Sequence, residues 1–203
     1  MSLDFYKIHG NNTWLERNQK IQEGVWPLYD KYIEPMALKW AGDLLKLDLG
    51  GRLNSHADYQ SVDLKDADII CDLNGRWPFE DGSVGVVRAY DVFEHLKDPI
   101  HTMKELYRVL APGGYAFIQV PSTDGRGAFQ DPTHVSYWNE NSFLYYTDAY
   151  LANFIDNKTI RFQEYRRETY YPNEWMKNMH SYVTTAWLVA IKDGPRYPGI
   201  LKI

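Results

Sequence analysis

Two adjacent glycines end one short apolar run, and an aspartate ends the next. The first run, Leu44-Leu45-Lys46-Leu47-Asp48-Leu49, breaks at Gly50-Gly51; the second, Tyr59-Gln60-Ser61-Val62, stops on Asp63. A buried strand that ends in glycines lets a ligand approach its carboxyl end, because no Cβ stands in the way. A carboxylate at the end of the following strand is the usual acceptor for the two hydroxyls of an adenosine ribose. Strand, glycine turn, strand, acid is the order of a nucleoside-cofactor site. An ordinary α/β turn followed by a surface aspartate has the same order, so the rest of the chain must separate the two readings.

The elements that must hold these residues can be read from periodicity. Val25, Leu28, Tyr29, Tyr32, Ile33, Met36 and Trp40 recur at helical spacing, with Pro27 in the first turn and Pro35 expected to kink or split the helix. A third strand is expected over Asp68–Leu73 and a fourth over Val84–Ala89, ending at Tyr90-Asp91. Asp98-Pro99 forms a cap and first turn for a helix whose apolar face is Ile100, Met103, Leu106, Val109 and Leu110. Pro112-Gly113-Gly114 then turns into a fifth strand, Tyr115–Pro121. A long loop over Ser122–Asn141 leads to a short helix at Ser142–Asn153. Two strands rich in β-branched and aromatic residues, Thr159–Tyr171 and Tyr182–Lys192, are expected to pair antiparallel at one edge. The fold class is therefore α/β, a mostly parallel seven-stranded sheet with an antiparallel C-terminal strand pair. Only eight residues separate Gly50 from Tyr59, and five lie between Asp63 and Ile69. A parallel crossover with a full helix takes about a dozen or more. The first crossover helices must be reduced or missing.

Composition sets the outer limits. The 203 residues, 44% hydrophobic and 24% charged, suit one globular domain. Residues 1–43 divide off as an arm and helical lid before an α/β domain at 44–203; residues 1–20 carry Phe5, Tyr6 and Trp14 without a period. The net charge of −5 argues against a nucleic-acid partner held through phosphates. The single cysteine, Cys71, leaves no internal disulfide and no paired-cysteine metal site. No apolar stretch is long enough to span a membrane and the first residues lack a signal-peptide core, so a soluble cytoplasmic protein without a membrane partner is the expectation. Oligomeric state is not readable.

With the strands placed, LDLGG at Leu47–Gly51, VDL at Val62–Leu64, CDLNGRWPFEDGSVGVVRAYDVFEHL at Cys71–Leu96 and ELYRVLAPGGYAFIQVPS at Glu105–Ser122 resemble class I S-adenosylmethionine-dependent methyltransferases. More narrowly they resemble the small type-11-like members, whose first sheet helices are reduced. The resemblance covers residues 44–145 and implies a Rossmann-like fold with S-adenosyl-L-methionine as cofactor. It implies that Asp48, Gly50 and Gly51 face the ribose and methionine part, and that Asp63, with Leu64 beside it, takes the ribose hydroxyls. It places Asp72 and Leu73 against the adenine, and Tyr90 and Asp91 beside the methionine moiety and sulfonium. The family usually has Gly-x-Gly-x-Gly in the first loop; this chain has Gly50-Gly51-Arg52-Leu53-Asn54.

Methyl transfer from a sulfonium demands positioning above all, and a base only where the acceptor must lose a proton. Candidate catalytic groups are His95, beside Glu94, and Asp131 and His134 in the loop after the fifth strand, at the sheet edge where ligands bind. His95 could equally hydrogen-bond backbone or cofactor, and His134 could serve only to pin its loop. Asp131-x-x-His134 is too sparse to define a metal site, and none is expected. Tyr137, Trp138, Phe143, Tyr145 and Tyr146 either line an acceptor pocket or fill a core short of helices. Arg52, Arg76, Arg88 and Arg126 either hold an acidic substrate or lie on solvated faces. Two functions stay open: methyl transfer to a small molecule (a sugar, lipid-linked or other metabolite), and a degenerate methyltransferase fold serving as a non-enzymatic binding or partner module. A nicotinamide dehydrogenase is disfavoured, since no Gly-x-Gly-x-x-Gly opens a helix after the first strand.

Overall fold

The short apolar runs become the strands of one sheet. The computed structural model describes residues 25–52 and 57–192; the expectation for an arm over residues 1–20 lies outside them. Strands β1 (Leu45–Leu49), β2 (Gln60–Asp63), β3 (Ile69–Ile70), β4 (Val84–Tyr90), β5 (Leu110–Pro121), β6 (Phe162–Tyr170) and β7 (Val183–Ala190) lie in the order β3-β2-β1-β4-β5-β7-β6. The first five are parallel, and β7 runs antiparallel to both β5 and β6. The expected mixed sheet with an antiparallel C-terminal pair is the one observed.

Helix α1 (Val25–Ala41) packs on one face and α2 (Pro99–Val109) on the other. Pro35 does not split α1, which runs unbroken through it. It lies on the exposed side, and Ile33, Ala37 and Ala41, one turn apart, anchor the helix on Val86, Phe117 and Trp187. The buried stripe thus differs from the expected one: Met36 and Trp40 remain 40% and 47% exposed. Helix α2 starts as expected, with the Asp98 carboxylate accepting from the Ile100 and His101 backbone N–H groups. Ile100, however, faces solvent, and Thr102 and Glu105 join Met103, Leu106 and Val109 in the buried face.

Among the described residues no α-helix joins β1 to β2, β2 to β3 or β3 to β4. The loop over residues 71–83 covers the sheet instead. Trp77 is 1% exposed and donates through Nε1 to the Leu73 carbonyl at 3.1 Å. Its backbone N–H donates to Glu105 Oε2 at 2.8 Å. Glu105 in turn receives Arg108 through Nε at 2.9 Å and Nη2 at 2.7 Å, while Nη1 of the same guanidinium reaches the Phe79 carbonyl at 2.7 Å. Trp138, Phe143 and Tyr146 fill the same core, so these aromatics replace helix packing, whereas Tyr137 is exposed.

The segment after β5 is less of a bare loop than its composition indicates. It holds α3 (Gly127–Gln130), and the helix expected over Ser142–Asn153 is split into α4 (Glu140–Thr147) and α5 (Ala149–Ala152). The break falls at Asp148, whose carboxylate caps α5 by accepting from the Tyr150 and Leu151 N–H groups. Helix α6 (Glu174–Asn178) sits in the β6–β7 turn. Among the described residues no helix is long and apolar enough to cross a membrane.

Candidate active site

The carboxyl ends of β1, β2 and β4 open onto a cavity of about 570 Å³. Gly50 forms its corner at φ +74°, and a Cβ there would meet Val92 at 3.0 Å. Gly51 is fixed for a different reason: its Cβ would lie 2.7 Å from Asp48 Oδ2. Asp48 points to the opposite face of the sheet from Leu47 and Leu49, beside its register partner Arg88. Arg88 Nη1 donates to both Asp48 oxygens, at 3.0 and 2.9 Å, and the guanidinium lies 4.1 Å from the centre of the Tyr90 ring. Asp48, Gly51 and Tyr90, expected at the cofactor, are not among the residues that line this cavity.

Gly50, Asp63, Leu64, Asp72, Leu73 and Asp91 do line it. Asp63 Oδ1 accepts from the Leu64 N–H at 2.6 Å, which aims the carboxylate, and Oδ2 lies 3.4 Å from Arg52 Nε. Asp72 Oδ1 accepts from the Asn74 backbone N–H at 2.9 Å and from its side chain at 3.0 Å, which holds the carboxyl below its ordinary range. Cys71 also borders the cavity, with its thiol pushed up by burial.

A second cavity, about 360 Å³, adjoins the first and shares Asp91 and His95 with it. Asp91 sits at φ +54°, a left-handed conformation that turns the chain sharply out of β4 and presents the carboxylate where the cavities meet. Desolvation raises its pKa although one side opens to the clefts. A 3₁₀ turn over Phe93–His95 follows. Glu94 is only 2% exposed and its carboxyl is pushed up to about 8 by burial. His134, with a side chain 7% exposed, sends Nδ1 to the Ala128 carbonyl at 3.0 Å. Its Nε2 faces Glu94 Oε1 at 4.0 Å and Asp131 Oδ2 at 3.9 Å. The His95 and His134 rings meet edge to face, 4.9 Å apart. Thr133 bonds to Asp131 through both its N–H and its hydroxyl, holding the Asp131 carboxyl below its ordinary range.

His95, Asp131 and His134 therefore share one cavity wall, though Asp131 and His134 are far from His95 in sequence. Parallel pairing of β4 and β5 brings the loops after them together. Asn74, Gln119 and Thr133 were not anticipated. Asn74 stands in the turn signal Asn74-Gly75 and Thr133 in the Asp131–His134 loop, while nothing local marks Gln119, which faces the cavity from within β5. Arg88 is committed to Asp48, while Arg76 and Arg126 lie exposed.

Known proteins are similar to this chain in sequence and in fold. The profile of the methyltransferase domain family Methyltransf_11 matches residues 31–118. Residues 31–118 are thus similar to the methyltransferase domain of that family. Over 82 residues the chain is 33% identical to a protein of Mycolicibacterium smegmatis named "Probable S-adenosylmethionine-dependent methyltransferase", a stretch covering 38% of this chain and 30% of that relative. The chain thus spans less than a third of that relative's length. Among solved structures, the YcgJ protein of Bacillus subtilis superposes with a TM-score of 0.51 at 13% identity, covering 78% of this chain and 98% of the other. A chain from the Haloferax volcanii complex of the Trm112 methyltransferase activator with a methyltransferase gives 0.50 at 16% identity, over 94% and 98%. At these identities the structures share the domain's fold.

Proposed function

We propose that the protein transfers the methyl group of S-adenosylmethionine to a small-molecule acceptor, such as a sugar, a lipid-linked compound or another metabolite. The observation that carries this reading is the meeting of two cavities at Asp91 and His95. In this reading the larger holds the nucleoside: ribose hydroxyls on Asp63, adenine against Asp72 and Leu73. The smaller holds the acceptor, with Pro121, Met176 and Val183 as apolar wall and Asp131, His134 and Gln119 as polar groups. The acceptor atom bonds to the methyl carbon, the S–C electron pair returns to sulfur, and the acceptor's proton passes to Asp131 or His134. Stacked Phe129 and Tyr137 and exposed Trp175 lie near residues of this cavity, which favours a ring-bearing or greasy acceptor. The net charge of −5 also supports a small molecule over a nucleic acid.

Calorimetric titration of S-adenosylmethionine tests the reading. Asp63→Ala removes charge-assisted hydrogen bonds to the ribose, on the order of 1.5–3 kcal/mol, or roughly tenfold to a hundredfold in affinity. Unchanged affinity in the folded variant would take Asp63 out of the site. A second reading, a degenerate fold acting as a binding module, draws on the first loop: Arg52, at φ +44°, follows Gly50-Gly51 where the family has further glycines. Absence of any heat with wild-type protein would favour it.

A further inference from the structure

Glu94 has no use in the account above, and its surroundings are unusual. Both carboxylate oxygens are buried, and among the described residues no other residue donates to either; only the backbone N–H of Glu94 itself lies close. An unpaired buried carboxylate costs several kcal/mol, so such groups are paired with a cation or protonated.

The neighbours that could donate are set up to accept. His134 Nδ1 faces the Ala128 carbonyl at 3.0 Å, and a carbonyl only accepts, so Nδ1 carries the proton and Nε2 of the neutral ring carries the lone pair. His95 Nδ1 faces the Thr133 carbonyl at 3.2 Å and Thr133 Oγ1 at 3.1 Å. The Thr133 hydroxyl donates to Asp131 Oδ1 at 2.7 Å, so toward His95 it too acts as acceptor. The His95 lone pair is therefore also on Nε2. Each Nε2 lies 4.0 Å from Glu94 Oε1, and the three ligand atoms all fall within 4.8 Å of one another. Two lone pairs and a carboxylate converge, with both imidazoles oriented through Nδ1, as in histidines that ligate metals.

We propose that Glu94, His95 and His134 bind a divalent first-row transition ion of the Mn²⁺ or Zn²⁺ kind at the wall of the acceptor cavity. Bonds of about 2.1 Å put neighbouring ligands roughly 3.0–3.4 Å apart, so each side chain must move inward by up to about 1 Å. Two imidazoles with one carboxylate select such an ion over Mg²⁺ or Ca²⁺, which take oxygen ligands. The site opens onto the smaller cavity, where Asp131 Oδ2 stands 3.9 Å from His134 Nε2. Its catalytic meaning rests on the proposed methyl transfer: an acceptor hydroxyl on the ion would lose its proton more readily, with Asp131 left to receive it. Its test does not.

The full chain, dialysed against EDTA, should take up one equivalent of MnCl₂ or ZnCl₂ by calorimetry and raise its thermal midpoint, with no S-adenosylmethionine present. Glu94→Gln and His134→Gln should weaken uptake by more than the roughly 10–100-fold that loss of an outer partner costs. Thr133→Val, which removes such a partner of His95, should fall within that range. Glu94→Gln keeps the side-chain shape and should raise the midpoint of the metal-free protein, which guards against loss of folding. Absence of uptake, uptake undiminished in Glu94→Gln, or equal preference for MgCl₂ would each overturn the proposal. Asp63→Ala should keep ion uptake, and S-adenosylmethionine binding to the EDTA-treated protein reports on the methyltransferase reading separately.

Discussion

Replacing Glu105 by glutamine should destabilise the domain by about 2–3 kcal/mol. The carboxylate is 5% exposed and accepts three hydrogen bonds: two from Arg108, at 2.9 and 2.7 Å, and one from the Trp77 N–H at 2.8 Å. With its oxygen at the Oε2 position the amide still accepts from Arg108 Nη2 and the Trp77 N–H, but its NH₂ then faces the Arg108 Nε donor, and the carboxylate's charge opposite the guanidinium is gone. Breaking a buried pair costs about 3–5 kcal/mol in full burial. Arg108 retains the Phe79 carbonyl and Asp81 Oδ1, each at 2.7 Å, which places the expected loss below that range. For a domain of this size the thermal midpoint should fall by roughly 5–10 °C. The Arg108 hydrogen bonds hold the Glu105 carboxyl below its ordinary range, with the Trp77 N–H adding to the effect. Its stabilisation is thus fully present above the unfolded value, about pH 4.3, and is lost as pH falls through the lower folded value. Urea midpoints measured against pH should accordingly drop more steeply below about pH 4 for the wild type than for Glu105→Gln. A variant that melts within about 1 °C of wild type at neutral pH would refute the claim that this pair holds the loop standing in for the crossover helices.

Two other substitutions probe neighbouring layers. Arg88→Ala leaves the buried Asp48 carboxylate without its guanidinium and should cost about 3 kcal/mol, measured by urea unfolding, with Asp48→Asn in the same chain recovering part of the loss. His134→Ala should lower turnover about a hundredfold to ten-thousandfold while S-adenosylmethionine affinity stays nearly unchanged. His134→Asn can keep the bond to the Ala128 carbonyl, so if it retained most activity, His134 would only be pinning its loop.

The strands were legible because each is a short apolar run closed by Gly, Asp or Pro, and the crossover lengths alone excluded helices beside β1 and β2. Asp98-Pro99 marked the start of α2 for a local reason, a side-chain cap, that needs no tertiary knowledge. Pro35 leaves α1 unsplit because a proline on the solvent side of a docked helix forgoes one hydrogen bond yet leaves the anchoring stripe Ile33-Ala37-Ala41 intact. The convergence of His95 and His134 could not be read, since it depends on β4 and β5 being neighbours. Nor could the partition of Asp48 from Asp63: both follow apolar residues near strand ends, but register with Arg88 turns one to the far face of the sheet. Glu94 and His95 are adjacent in a 3₁₀ turn, and no local signal tells which of them is buried.

The central claim is that the cofactor's sulfur lies where the two cavities meet. A crystal structure with S-adenosylhomocysteine tests it most directly. The account predicts both ribose hydroxyls on Asp63, the adenine edge at Asp72 and Leu73, and the sulfur beside Asp91 with its open side toward His134. A ligand seated in the smaller cavity, or one whose ribose leaves Asp63 bonded to Arg52 alone, would contradict it.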